Sequence, residues 1–170
     1  MHKLSIIRGD ITTMHTDAIV NAANTSLLGG EGVDGAIHRA AGPKLMEECK
    51  SLKGCKMGCA KITKGYALPA KYVIHTPGPI WNGGIEEEPT ILKSCYESCL
   101  RLVEEYRLKT VAFPSISTGA YRFPRELAAY IAVGAFKEFL QSYLLMERIY
   151  MVCFDEETER AYKAAYLSLI

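Results

Sequence analysis

Residues 17–42 read DAIVNAANTSLLGGEGVDGAIHRAAG, and the order of residue types within them decides the fold. Ala18 to Ala22 is a short apolar run with Ile and Val at its centre, which predicts a buried strand. Glycines at 29, 30 and 32 then break the chain, and a helical pattern enters at about Gly35. Strand, glycine-bearing loop and helix make the unit with which an open α/β sheet builds a ligand site at the carboxyl end of its strands.

The same alternation continues along the chain. Apolar runs predict strands at Leu4 to Ile7, Ala60 to Tyr66, Tyr72 to Thr76, Thr110 to Ser115 and Ile149 to Phe154. Between Glu87 and Tyr106, Ile91, Leu92, Cys95, Cys99 and Val103 recur at helical spacing and define one buried stripe. A further helix follows Pro124, and Glu156 to Leu169 reads as a last one, opened by two acids that suit a helix start. Strands alternating with helices predict an α/β fold with a largely parallel sheet, and 170 residues without repeat or linker predict one domain, residues 1–170.

Composition narrows the function. With 49% hydrophobic and 23% charged residues the chain reads as globular, and no apolar run approaches the roughly 20 residues that cross a bilayer. The first ten residues, MHKLSIIRGD, meet charges too soon for a signal-peptide core, so a cytoplasmic location is expected. A net charge of +1 gives no basic footprint for nucleic acid, and bound phosphates must therefore rely mostly on backbone N–H groups. The six cysteines are expected to be reduced. Cys55/Cys59 and Cys95/Cys99 are spaced i, i+4, not C-x-x-C, so inert buried thiols are favoured over a zinc site shared with His38 or His75.

Gly30, Gly32 and Gly35 match G-x-G-x-x-G, the fingerprint of a dinucleotide-binding turn. The redox version of that motif fits poorly. The glycines follow a second strand, and Ser51 to Cys59, about 20 residues on, holds no acid to bind a ribose. No G-K-S or G-K-T occurs, which removes a P-loop. A second loop, STGAY at Ser117 to Tyr121, follows another strand in the matching place, and two such loops fit a diphosphate. Several residues have an ordinary structural reading too: Asp34 as a helix N-cap, Asn24 as a turn residue, Asp10 as an Asx-turn or cap, and Phe154 as a buried strand end.

GDIT at 9–12, DAIVNAAN at 17–24, GVDGAIHRAAG at 32–42, YVIHTPGP at 72–79 and SISTGAYRFP at 115–124 together resemble the macrodomain family, in its MacroD-type branch. The resemblance is ordered and spans nearly the whole chain. It implies a three-layer α/β/α fold around a six-stranded mixed sheet, and a crevice for ADP-ribose. Asp10 would accept from the adenine amine, with the Ile11 amide on the same ring and Phe154 flanking it. The amides of Gly32 and Val33, with Ser117, Thr118, Gly119 and Ala120, would hold the phosphates, and Tyr121 would pack by the distal ribose. Asn24 would orient that ribose, and Asp34 would position or activate water.

The resemblance implies a hydrolase acting on O-acetyl-ADP-ribose or on mono-ADP-ribose ester-linked to Asp or Glu of proteins, without metal or redox cofactor; a non-catalytic ADP-ribose reader is the alternative. A monomer is expected, since no exposed apolar stripe is evident. His38, four residues after Asp34, reads as a packing or hydrogen-bonding residue. Cys49 and Cys59 lack an activating basic neighbour in sequence, which disfavours a thiol nucleophile. Two residues depart from the family pattern, Glu31 and Arg122, each where glycine is frequent. A carboxylate beside a diphosphate is repulsive unless it turns outward, whereas an arginine could attract phosphate or contact the modified protein.

Overall fold

The computed structural model describes residues 1–170. Six strands form one sheet: β1 (Leu4–Arg8), β2 (Ala18–Ala23), β3 (Lys61–Lys64), β4 (Tyr72–Pro77), β5 (Thr110–Phe113) and β6 (Arg148–Cys153). Their order is β1-β6-β5-β2-β4-β3. Every pairing is parallel except β3 against β4, so the sheet is mixed, with one antiparallel edge. Five helices cover it: α1 (Gly32–Ala41), α2 (Pro43–Leu52), α3 (Glu88–Glu105), α4 (Arg125–Ser142) and α5 (Glu156–Leu169).

The side-chain period of two sorts the strand residues between two cores. Val20, Ile74, Val111, Phe113 and Met151 face the larger core with α3, α4 and α5, where Leu92, Cys95, Phe136 and Tyr162 meet them. Ile19, Val73, Ala112 and Val152 face the smaller one, with Ile37 and Ala41 of α1 and Leu45 and Cys49 of α2. The central strands are covered on both faces, which is why they read as continuous apolar runs and not as alternating ones. The three-layer α/β/α arrangement follows from this sorting.

Each expected strand is present, with small changes at the ends. β3 spans four residues because Gly65 turns away, its amide donating to the Lys71 carbonyl at 2.7 Å. β5 stops at Phe113, before Pro114, which has no N–H to give the ladder. Ser115 therefore belongs to the loop. The stripe of α3 is buried at Leu92, Cys95, Cys99 and Val103, while Ile91 is half-buried.

Two helix assignments need correction. α1 begins at Gly32, three residues earlier than expected, so Asp34 lies inside the first turn and Glu31 holds the cap position. Sequence reading also passed over α2, although Gly42 in the left-handed region (φ 87°) followed by Pro43 at the first helical position marks a helix end and a helix start. No helix is long and apolar enough to cross a membrane.

Candidate functional site

The loops that leave the carboxyl ends of β1, β2, β5 and β6 converge on one cleft of about 930 Å³. All ten residues singled out from the sequence for ligand binding, and both catalytic candidates, line it. β1 and β6 are neighbours, as are β2 and β5, so the cleft runs across the sheet from the Asp10 and Phe154 end to the Asn24 and Asp34 end.

Two stretches of unused backbone N–H groups form its middle. α1 has no side-chain cap, and the amides of Gly32, Val33 and Asp34 donate to no acceptor in the chain. Across from them, none of the amides from Ser117 to Tyr121 donates within the chain either. Unpaired amides beside a helix N-terminus favour an anion through both their hydrogens and the helix dipole.

A buried pair of tyrosines holds the second loop in place. Tyr96 Oη accepts the Ile116 amide at 3.2 Å, and Tyr162 Oη lies 2.8 Å from Ser115 Oγ. Thr118 Oγ1 then donates to Ser115 Oγ at 2.8 Å. Burial pushes the Tyr162 hydroxyl up to about 12 and that of Tyr96 well above its ordinary value, so both remain protonated scaffold groups. Gly78, after β4, passes directly beneath: a Cβ there would collide with Ser117 Oγ and would stand 2.6 Å from Ile116 Cγ2. Ser117 itself adopts φ 66°, a left-handed conformation.

At the β1 end, Asp10 Oδ1 accepts from the Thr12 amide at 3.0 Å and from Thr12 Oγ1 at 2.7 Å, capping a short 3₁₀ turn at Ile11–Thr13. The expected Asx-type cap is therefore present. Oδ2 takes no hydrogen bond in the chain and remains for a ligand. Phe154 follows β6 and is 92% exposed, which excludes the buried strand-end reading and leaves a free aromatic face on the cleft rim.

At the other end Asp34 is only 5% exposed. Its Oδ1 accepts from Asn21 Nδ2 at 2.8 Å, and Oδ2, which takes no hydrogen bond in the chain, lies 3.1 Å from where a Cβ on Gly30 would stand. Asn24 is a turn residue in fact. Its Nδ2 donates to the Gly29 carbonyl at 2.8 Å, and its Oδ1 accepts from Ser26 Oγ and from the Leu27 amide. One Nδ2 hydrogen is left over. His38 Nε2 lies 3.4 Å from Asp34 Oδ1, within reach of its charge but without the alignment of a hydrogen bond.

Glu31 and Arg122 are both exposed, so neither lies buried against the phosphate loops. Arg122 holds φ 60°, a conformation that glycine adopts without cost, which gives a physical reason for glycine at that place. All six thiols are free, and five are buried. Burial, with Asp34 and Glu48 adding to it, pushes the Cys49 thiol up to about 11, far from a reactive thiolate.

Sequence reading missed three sets of residues: the Asn21 partner of Asp34, the Tyr96/Tyr162 scaffold, and the cleft-lining Arg8, Arg39 and Arg125. Asn21 left a trace, as a polar residue inside an apolar strand run. The tyrosines left none, because a tyrosine in an apolar helix stripe reads as core.

Comparison with known proteins places the chain in a family. The family model described as Macro domain matches residues 20–132. A macro domain-containing protein of Methanosarcina mazei is 56% identical over 168 residues, covering 99% of this chain and 90% of its own length. A Salmonella typhimurium protein named O-acetyl-ADP-ribose deacetylase is 51% identical over 164 residues, covering 94% of this chain and 92% of its own length. Among solved structures, a variant of the Oceanobacillus iheyensis macrodomain with ADPR superposes with a TM-score of 0.93 at 42% identity, covering 98% of this chain and 92% of that one. A family model over most of the chain, relatives above half identity along nearly its full length, and the same fold in solved macrodomains have one reading: this chain belongs to the macrodomain family.

Proposed function

We propose that this chain binds ADP-ribose in the cleft and hydrolyses ester bonds on its distal ribose. The substrates are O-acetyl-ADP-ribose, by deacetylation, and mono-ADP-ribose ester-linked to Asp or Glu side chains of proteins. The relatives named O-acetyl-ADP-ribose deacetylase and the neighbouring macrodomain structure with ADPR support the hydrolase and its ligand. The observation that carries the reading is Asp34: a buried carboxylate that lines the cleft, with one oxygen tied to Asn21 and the other taking no hydrogen bond in the chain.

In this reading adenine lies between Asp10 and Phe154, with the Ile11 amide beside it. The diphosphate takes the unpaired amides of Gly32 and Val33 and of Ser117 to Ala120. The distal ribose rests against Tyr121 and takes the spare Nδ2 hydrogen of Asn24. Asp34 Oδ2 then accepts a proton from water as the water oxygen bonds to the ester carbonyl carbon. The carbonyl carbon to ribose-oxygen bond breaks, and the ribose oxygen recovers the proton, giving acetate and ADP-ribose. None of these steps consumes a redox equivalent.

The test gives the purified protein O-acetyl-ADP-ribose and, in parallel, a target mono-ADP-ribosylated on glutamate, each with and without EDTA, and follows free ADP-ribose by chromatography. Release that survives EDTA and vanishes in Asp34→Ala is expected. No release from either substrate, together with measurable ADP-ribose binding by calorimetry, would leave a binding module in place of an enzyme.

A further inference from the structure

Two fully buried polar side chains face each other across the centre of the sheet. Asn21 of β2 and His75 of β4 are partners in the parallel register, and both are 0% exposed. Asn21 Nδ2 carries two hydrogens. One goes to Asp34 Oδ1 at 2.8 Å and the other points at His75 Nδ1, 3.1 Å away. Asn21 Oδ1 has no partner at all, so these two acceptors alone decide which way the amide faces.

The direction of the hydrogens can be followed from the far end. Thr63 Oγ1 on β3 donates its single hydrogen to the Lys64 carbonyl at 3.1 Å. With its hydrogen placed there, it accepts from His75 Nε2, 2.9 Å away, and the Asn21 hydrogen aimed at Nδ1 calls for the same tautomer. That places the imidazole proton on Nε2 and leaves Nδ1 as a lone pair, able only to accept. Burial, then the charge of His38, lower His75 to about 3, so the folded protein holds the ring neutral near neutral pH. Turned over, the Asn21 amide would set its oxygen against a carboxylate on one side and an imine nitrogen on the other. Neither has a hydrogen to give.

We propose that His75 is a positioning residue for Asp34: held as the Nε2–H tautomer by Thr63, it locks the Asn21 amide so that Nδ2 donates to Asp34 Oδ1 and leaves Oδ2 free of partners in the chain. This rests on the hydrolase reading above and extends it to a residue that does not line the cleft. The relay Thr63–His75–Asn21 runs through the sheet, joining the antiparallel edge strand to the first turn of α1. Buried hydrogen bonds of this kind are strong, and only one orientation of the Asn21 amide makes both of its bonds, which is what fixes the geometry.

Two substitutions separate positioning from packing. His75→Leu removes the acceptor that holds Asn21, and His75→Asn keeps an acceptor on the same side of the β-carbon. With O-acetyl-ADP-ribose, His75→Leu is expected to lower kcat by about 10- to 100-fold, the scale of a misplaced catalytic group, while ADP-ribose affinity stays within a few-fold. His75→Asn is expected to recover most of that loss. Long-range ¹H–¹⁵N spectra of the wild-type protein should show His75 as the neutral Nε2–H tautomer, and this readout needs no turnover.

An Nδ1–H tautomer would overturn the proposal, as would unchanged kcat in folded His75→Leu. A fall of kcat and affinity together, without recovery in His75→Asn, would make the residue merely structural. If His75→Leu does not fold, the tautomer and the His75→Asn rate still decide. If the wild-type protein cleaves neither ester, the hydrolase reading fails by itself, and the spectra then decide only the relay.

Discussion

The two oxygens of Asp34 have different partners, and that asymmetry makes the residue testable on its own. Oδ1 is bound to Asn21, whereas the unpaired amides of the cleft belong to the backbone, which a change to alanine keeps. Asp34→Ala should abolish most turnover while ADP-ribose affinity, measured by calorimetry, stays within about tenfold, or about 1.4 kcal/mol. A parallel collapse of both would assign Asp34 to the scaffold. At the other end of the cleft, Phe154 is 92% exposed and contributes little to the core. Phe154→Ala should leave the melting temperature unchanged yet weaken ADP-ribose binding by about 1 to 3 kcal/mol, the range found for stacking of a base on an aromatic ring. Equal affinity in the variant would remove the ring from the adenine site.

Among the elements, the loop from Ser115 to Tyr121 depends on groups far from it in sequence. Tyr162 on α5 reaches both Ser115 and Tyr96 on α3, so two helices brace the loop that presents the unpaired amides. Tyr162→Phe removes one buried hydroxyl and should destabilise the fold by about 1 to 3 kcal/mol in denaturant unfolding. It should also weaken ADP-ribose binding, because Ser115 and Thr118 lose their anchor. Lost stability with intact binding would show that Tyr96 alone sets the loop. α5 itself starts at Asp155, which accepts the Thr158 amide at 2.8 Å, and that hydrogen bond holds its carboxyl below the usual carboxylate range.

For the whole molecule, His75 makes stability depend on pH. Its ring faces Asn21 and Thr63 on the neighbouring strands and Cys49 on α2, with the charge of His38 on α1 felt as well. Burial, then that charge, lower it from an ordinary 6.5 to about 3. A base that is neutral when folded costs nothing above its unfolded value. The unfolded chain takes up the proton first as pH falls below about 6.5, so stability declines through that window and levels off only below about 3. Asp155, depressed in the folded state, acts in the same direction at lower pH, losing its contribution as pH falls through the carboxylate range. Chemical denaturation between pH 7.5 and 4.5 should therefore show falling stability in the wild-type protein and a shallower fall in His75→Asn. Identical slopes would exclude His75 as the source.

Local residue order by itself determined the elements and the loops. Six apolar runs became six strands, Gly29 and Gly30 became a loop that leads into α1 at Gly32, and the STGAY segment became a loop of the cleft, because periodicity and turn chemistry act over a few neighbouring residues. Only the tertiary structure decided what joins across them. Asn21, His75 and Thr63 lie on three strands and meet because β2, β4 and β3 are adjacent in the sheet, and Tyr96 and Tyr162 meet although 66 residues separate them. The register of strands and the packing of helices are set by burial summed over the whole chain, and no single stretch of sequence carries that sum.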